Sequence, residues 1–212
     1  MAQPRQAIPR RQPAGEELLF LRRWLAHPLK VGAVMPSSAF LGRLVAKNVR
    51  LGPDEYVVEL GAGTGTVTKE LLDAGIPAER LFVVEIDPDL CSFLRREVPQ
   101  AQVIQGDATR LRALLPSEVA GKVRTVISGI PMVTLPLSVQ AKMIDAWFDV
   151  MPPDGRMLQY TYSLVSPLPE AKLGVKGRRC GIVVRNVPPA WVWSYTRVGK
   201  AQLGKSPTTL AA

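Results

Sequence analysis

The sequence predicts an α/β fold: one mostly parallel sheet of seven strands, helices on both faces and a C-terminal antiparallel hairpin. Three observations carry that prediction. Short apolar runs alternate with stretches of helical periodicity between residues 56 and 161. The first run, Val57-Val58-Glu59-Leu60, ends in Gly61-Ala62-Gly63-Thr64-Gly65, the mark of a buried strand that turns tightly into a helix. Near the C-terminus two further runs, 181–187 and 191–198, are separated by Pro188-Pro189, which suits a hairpin turn.

From the N-terminus, residues 1–15 are rich in proline, glutamine and arginine and are expected to form a disordered basic tail. In residues 16–30, Leu18, Leu21 and Leu25 fall at near-helical spacing, Trp24 widens the apolar surface, and Arg22 and Arg23 adjoin it. That is the pattern of an amphipathic basic helix lying in a membrane interface, or of a helix packed on the domain as a cover. The domain itself is expected over residues 31–198, with a loose tail at 199–212. Ser37 or Ser38 is a plausible N-cap for a helix reaching about residue 48.

The core then reads as strand 56–60, helix 64–74, strand 81–85, helix 88–97 and strand 102–105. Gly106-Asp107-Ala108 closes the third strand. A fourth strand, 123–127, delivers Ser128-Gly129-Ile130-Pro131-Met132, followed by a helix at 138–150. Pro152-Pro153-Asp154-Gly155 is a turn into a fifth strand, 156–161, and residues 162–177 read as a long loop ahead of the hairpin.

Composition narrows the chemistry. A formal charge of +9 points to a polyanionic partner, nucleic acid or an anionic membrane surface. Two cysteines cannot build a disulfide framework, which with the absence of a signal-like opening suggests a reducing cytosol. No apolar run is long enough to cross a bilayer, so membrane contact is expected to be peripheral, at the inner membrane. His27 is the only histidine and lies ahead of the domain, which argues against a Ser-His-Asp triad or a histidine metal site. No metal is expected, and the chain is expected to be a monomer.

The glycine turn is not a dinucleotide G-x-G-x-x-G and carries no P-loop lysine; an acidic residue, Glu59, precedes it. Glu85 ends the next run about twenty residues past Gly65, where a carboxylate can accept ribose hydroxyls. This combination resembles the Rossmann-like class I S-adenosylmethionine (SAM) methyltransferases. The resemblance implies SAM as cofactor, held by Glu59, Gly61, Ala62, Gly63, Thr64 and Gly65 at the turn, by Glu85 and Ile86, by Gly106, Asp107 and Ala108, and by Ser128. Glu59 would lie near the methionine end, Asp107 near the adenine amine, and the segment bearing Ser38 over the sulfonium.

The order of these motifs also resembles the rRNA adenine dimethyltransferases, which carry Asn-(Leu/Ile)-Pro-(Tyr/Phe) after strand four. Here the position reads Ser128-Gly129-Ile130-Pro131-Met132, without the asparagine or the stacking aromatic, so nucleic acid is not the expected partner, and an RNA adenine N-methyltransferase or RNA-binding protein stays as the alternative. The chain more closely resembles the bacterial phospholipid N-methyltransferases of the rhizobial type. That resemblance runs through Gly32-Ala33-Val34-Met35-Pro36-Ser37-Ser38, the glycine turn, Ser128-Gly129-Ile130-Pro131 and Gln159-Tyr160-Thr161-Tyr162. It implies methylation of phosphatidylethanolamine, through mono- and dimethyl forms, to phosphatidylcholine.

The residues suit that chemistry. Tyr160 and Tyr162 point to one side of an extended chain, where their hydroxyls can orient an amine or relay its proton and their rings can hold a methylated ammonium. Backbone carbonyls around Ser128 and Gly129 can help to position it. Lys172, Lys176, Arg178 and Arg179 are expected in the loop after strand five, with Arg178 or Arg179 gripping the lipid phosphate. If the basic helix carries the membrane contact, deleting residues 16–30 will abolish sedimentation with anionic liposomes and leave SAM affinity unchanged by calorimetry.

Overall fold

The structure, a computed structural model, describes residues 38–186 and 188–198. The expected tail at 1–15, the helix with Leu18, Leu21, Arg22, Arg23, Trp24 and Leu25, and the tail at 199–212 lie outside the described residues.

Seven strands form one sheet in the order β3-β2-β1-β4-β5-β7-β6. The parallel part comprises β1 (Tyr56–Leu60), β2 (Leu81–Glu85), β3 (Gln102–Gln105), β4 (Val123–Ser128) and β5 (Arg156–Thr161). A parallel sheet covered on both faces needs strands that are apolar on both sides, and β2 is buried at every position. The strand order reverses between β1 and β4, so the crevice outside their carboxyl ends is where a ligand fits.

Helices cover the sheet: α1 (Ala39–Asn48), α2 (Thr66–Asp73), α3 (Pro88–Glu97), the single turn α4 (Leu111–Leu114), α5 (Leu137–Asp149) and the short α6 (Glu170–Leu173). Local signals set their starts. Ser38 caps α1 by accepting from the Leu41 N–H at 3.2 Å. Asp87 caps α3 by accepting from Asp89 and Leu90, and Pro88 sits in the first turn, where its missing N–H is harmless. On one face Leu41 and Val45 of α1, Val67 and Leu71 of α2 and Leu94 of α3 pack on Val57, Val83, Ile127, Leu158 and Val192 of the sheet. On the described residues, no helix is long and apolar enough to cross a membrane.

Two differences from the sequence expectation bear on the site. Helix α2 starts at Thr66 rather than 64, because Gly65 is still in the left-handed conformation (φ 76°) and serves as its N-cap. The larger difference lies at the C-terminal hairpin, β6 (Val175–Val183) and β7 (Ala190–Arg197). Strand β6 begins six residues before the expected 181, so the loop after β5 is shorter and Lys176, Arg178 and Arg179 belong to the strand. Lys172 lies in α6. The run Val175-Lys176-Gly177-Arg178-Arg179 has no apolar alternation to announce a strand. It forms because β6 is an edge strand paired along its length with β7, and edge strands carry cations that discourage further pairing.

Candidate functional site

The glycine turn is built as its spacing implies. Gly61, Gly63 and Gly65 all have positive φ (68°, 58° and 76°), a conformation that costs any residue with a Cβ. They do different things. A Cβ on Gly65 would stand 2.7 Å from Leu94 of α3, and one on Gly61 3.0 Å from the Ile130 side chain, so those two permit close packing. A Cβ on Gly63 would meet nothing within 4 Å, so its backbone faces open space. Thr64 is exposed beside it, and Ala62 is half-buried against the core.

Two carboxylates lie behind the turn. Glu85, at the end of β2, is buried, and its oxygens accept from the N–H groups of Gly63 (3.1 Å), Ile86 (2.8 Å) and Asp87 (3.1 Å). A carboxylate offers about four acceptor positions, so about one remains for a ribose hydroxyl unless the Gly63 bond yields. Glu59, buried on β1, accepts from the Thr68 hydroxyl of α2 at 2.7 Å. Burial raises its pKa to about 7; the Thr68 hydrogen bond opposes the shift and the Glu85 carboxylate adds to it. Thr68 lies one turn into α2 and was not singled out from the sequence. A hydroxyl at the tenth position of a Glu59-to-Thr68 segment carries no motif.

Across the crevice, β4 ends in Ser128-Gly129-Ile130. Gly129 donates its N–H to the Leu60 carbonyl at 2.8 Å, and a Cβ on Gly129 would fall 2.6 Å from the Gly61 carbonyl oxygen and closer still to the Tyr160 hydroxyl. Gly61, Gly129 and Tyr160 therefore meet at the β1–β4 crevice, which separates the two tyrosines: the Tyr160 hydroxyl is at this point. Tyr162 follows the end of β5 and is half-buried on the same core face, where burial raises its pKa. Ser128 is fully buried and its hydroxyl oxygen accepts from the Ile130 N–H at 3.3 Å, so its side chain braces the turn instead of facing a ligand.

Gln159, on the opposite face of β5 from Tyr160, braces the same loop by donating from Nε2 to the Ile130 carbonyl at 2.9 Å. Its Oε1 is buried without a hydrogen bond. A lone polar residue inside the apolar run Met157-Leu158-Gln159 was the available signal for this role.

The remaining expected residues have mixed placements. Asp107 is half-buried; its Oδ1 accepts from the Thr109 N–H at 2.8 Å, capping a short 3-10 turn, and Oδ2 takes no part in that cap. Gly106 is glycine because Leu114 packs against it. Ala108 is buried and its carbonyl accepts from the Trp147 indole N–H at 3.0 Å. The hydroxyl of Ser38 donates to Asn186, tying the start of α1 to the segment after β6. The cations expected around a phosphate are not grouped in a loop beside Tyr160. Lys176 pairs with Thr196 toward the amino end of the sheet. Arg178 and Arg179 lie opposite Ser194 and Trp193 on β7, which face Leu158 and Gln159 on β5. That is two strand spacings, roughly 10 Å, from β5. The Arg179 guanidinium stacks 5.5 Å over the Trp193 ring.

Residues 57–155 match the family described as Methyltransferase domain. The ornithine lipid N-methyltransferase of Singulisphaera acidiphila is 32% identical over 146 residues, covering 68% of this chain and 76% of that protein. Ribosomal RNA small subunit methyltransferase A of Chlorobium chlorochromatii is 39% identical over 79 residues, but the chain spans only 28% of that relative's length. Among solved structures, a TehB-like SAM-dependent methyltransferase from Corynebacterium glutamicum aligns with TM-score 0.54 and 14% identity, covering 87% of this chain and 100% of the other. A precorrin-6y C5,15-methyltransferase from Geobacter metallireducens aligns with TM-score 0.55 and 16% identity, covering 74% and 86%. At such identities these two show the fold.

The cofactor is SAM. The residues present fit it: an open glycine turn at the head of α2, a carboxylate at the end of β2 and a buried acid able to face a cation. Among the described residues there is no cluster of groups fit to hold a metal ion.

The raised pKa of Glu59 has a testable sign. The folded protein keeps its proton between the usual carboxylate pKa and about 7, so the Glu59 contribution to stability falls as pH rises across that window and levels off above it. A bound cation favours the ionised form, so SAM affinity measured by calorimetry will rise from pH 6 to pH 8, and Glu59→Gln will flatten that rise. The close approach at Gly129 makes a second prediction. Gly129→Ala will destabilise the fold in urea titration by about 1–3 kcal/mol through overpacking, and weaken SAM binding.

Proposed function

This chain belongs to the SAM-dependent methyltransferases, and from that premise we propose that it N-methylates the primary amine of a membrane lipid. Phosphatidylethanolamine, with its mono- and dimethyl forms toward phosphatidylcholine, is the substrate we put first. The observation that carries the reading is the Tyr160 hydroxyl set against Gly129 and Gly61 at the carboxyl ends of β4 and β1. The hydroxyl takes the space that a side chain at Gly129 would fill, which holds it at the ends of both strands.

SAM, when bound, supplies a methyl group already activated by its sulfonium. The protein's part is to present a neutral, aligned nitrogen. Tyr160 Oη can accept a hydrogen bond from the amine and hold it against the Gly61 and Gly129 backbone. Its ring, with that of Tyr162, can hold the methylated ammonium by cation–π contact. The Gln159–Ile130 bond keeps the loop in register. Arg178 and Arg179 remain the proposed phosphate contacts, reached along the edge of the sheet rather than from a loop beside Tyr160.

A second substrate within the same class has its own support. The relative covering most of this chain is named for an ornithine lipid, and an ornithine headgroup offers an amine without requiring a phosphate contact. The RNA reading is weaker, because the rRNA relative matches over only 79 residues, 37% of this chain, and Met132 stands where that family carries an aromatic ring.

Labelled SAM incubated with liposomes of phosphatidylethanolamine or ornithine lipid, each mixed with phosphatidylglycerol, separates these readings. Label in mono-, di- and trimethylated phosphatidylethanolamine is expected. Label confined to ornithine lipid would replace the headgroup, and label in neither, with SAM bound, would overturn lipid methylation. Tyr160→Phe is expected to lower kcat by about 10²-fold with SAM affinity unchanged.

A further inference from the structure

The described residues include seven exposed large hydrophobics, between 42% (Phe40) and 71% (Leu164) accessible. Scattered singly, such residues need no explanation. Here they share one edge of the molecule. Val133 and Leu137 follow β4, Leu164 and Val165 follow β5, and Ile182 and Val184 close β6. Strand β6 runs antiparallel to β7, which runs antiparallel to β5, so the ends of β4, β5 and β6 lie on the same rim. The rim spans three strand spacings, roughly 14 Å, and it is the rim on which the Gly61–Gly129–Tyr160 crevice opens. Phe40, at the start of α1, joins it through the Ser38–Asn186 hydrogen bond.

The charge on this rim is one-sided. Residues 129–137, 162–169 and 182–189 contain no aspartate or glutamate, whereas the other half of the rim carries Asp87, Asp89 and Asp107. Phe40 lies between two guanidiniums, Arg43 at 4.8 Å and Arg185 at 5.1 Å from its ring centroid. Arg43 also meets Glu70 at 3.4 Å, while Arg185 is exposed. The Leu164-Val165 pair is presented by ordered turns: Ser163 N–H donates to Thr161 Oγ1 at 3.0 Å and Val165 N–H to Ser163 Oγ at 3.3 Å.

We propose that this rim, from β4 to β6 with Phe40, docks the mouth of the crevice on a phospholipid bilayer that contains anionic lipids. The inference rests on the reading of the substrate as a lipid amine: a lipid whose tails stay in the bilayer reaches Tyr160 only if the bilayer meets the open end of the crevice. The apolar crest enters the acyl boundary and Arg43 and Arg185 meet the phosphates. This contact belongs to the catalytic domain and is additional to any made by residues 16–30.

The test uses the full chain and vesicles of phosphatidylethanolamine and phosphatidylglycerol. The variant Leu164→Asp/Val165→Asp changes the charge by the same amount as Lys122→Asp, an exposed position before β4 at the opposite edge. The rim variant is expected to lose about tenfold or more in vesicle partitioning, with SAM affinity as in the wild type, and Lys122→Asp to lose much less. Equal losses in the two would reduce the effect to net charge and overturn the proposal, as would vesicle binding unchanged in the rim variant. A rim variant that turns a dimer into a monomer by light scattering, with vesicle binding intact, would assign the rim to a second copy and overturn it too. Substrate and surface fail separately. Detergent-dispersed lipid methylated normally while the rim variant still binds vesicles sinks only the docking surface. Rim-dependent vesicle binding without any labelled lipid sinks only the lipid substrate.

Discussion

The approach of Gly129 to the carbonyl of Gly61 is the contact on which the site depends. It occurs where the strand order reverses, so it joins the ends of two central strands whose following helices leave on opposite faces of the sheet. The Gly129 N–H to Leu60 hydrogen bond continues the β1–β4 ladder one residue beyond β4. A side chain at Gly129 would push the two strand ends apart and displace the Tyr160 hydroxyl. Both the turn proposed to hold the cofactor and the residue proposed to hold the amine are thus referred to the same few backbone atoms.

Around that contact lie two buried acids, Glu59 and Glu85, and among the described residues no cation pairs with either of them. Glu85 is stabilised by three backbone N–H groups and Glu59 by one threonine hydroxyl. With one hydroxyl donor opposing it, burial raises the proton affinity of Glu59. A site that receives a sulfonium is suited by negative charge that is incompletely compensated until the ligand arrives. Arg178 and Arg179 lie on the edge strand and Arg185 on the rim, where all three are exposed.

The parallel core was legible because burial on both faces forces apolar runs of strand length, and each of the first five strands falls within one residue of its expected bounds. The glycine turn was legible because only glycine adopts three successive alternate positive-φ positions without strain. The edge was not. Strand β6 carries three cations and is buried at only two of its nine positions, so its hydrogen-bonding partner, rather than its composition, makes it a strand. Placing Lys176, Arg178 and Arg179 in a loop followed from that misreading.

What the sequence by itself determined is the order of elements, the glycine turn after β1 and the acidic residues behind it, because these are set by local periodicity and by backbone conformations few residues can adopt. The tertiary structure alone decided which groups face one another: Tyr160 rather than Tyr162 at Gly129, the Ser128 hydroxyl turned inward, Gln159 on the Ile130 carbonyl, and the exposed apolar residues gathered on one rim. Those relations join residues up to about 150 positions apart through strand pairing and packing, and a pattern read along the chain carries no record of them.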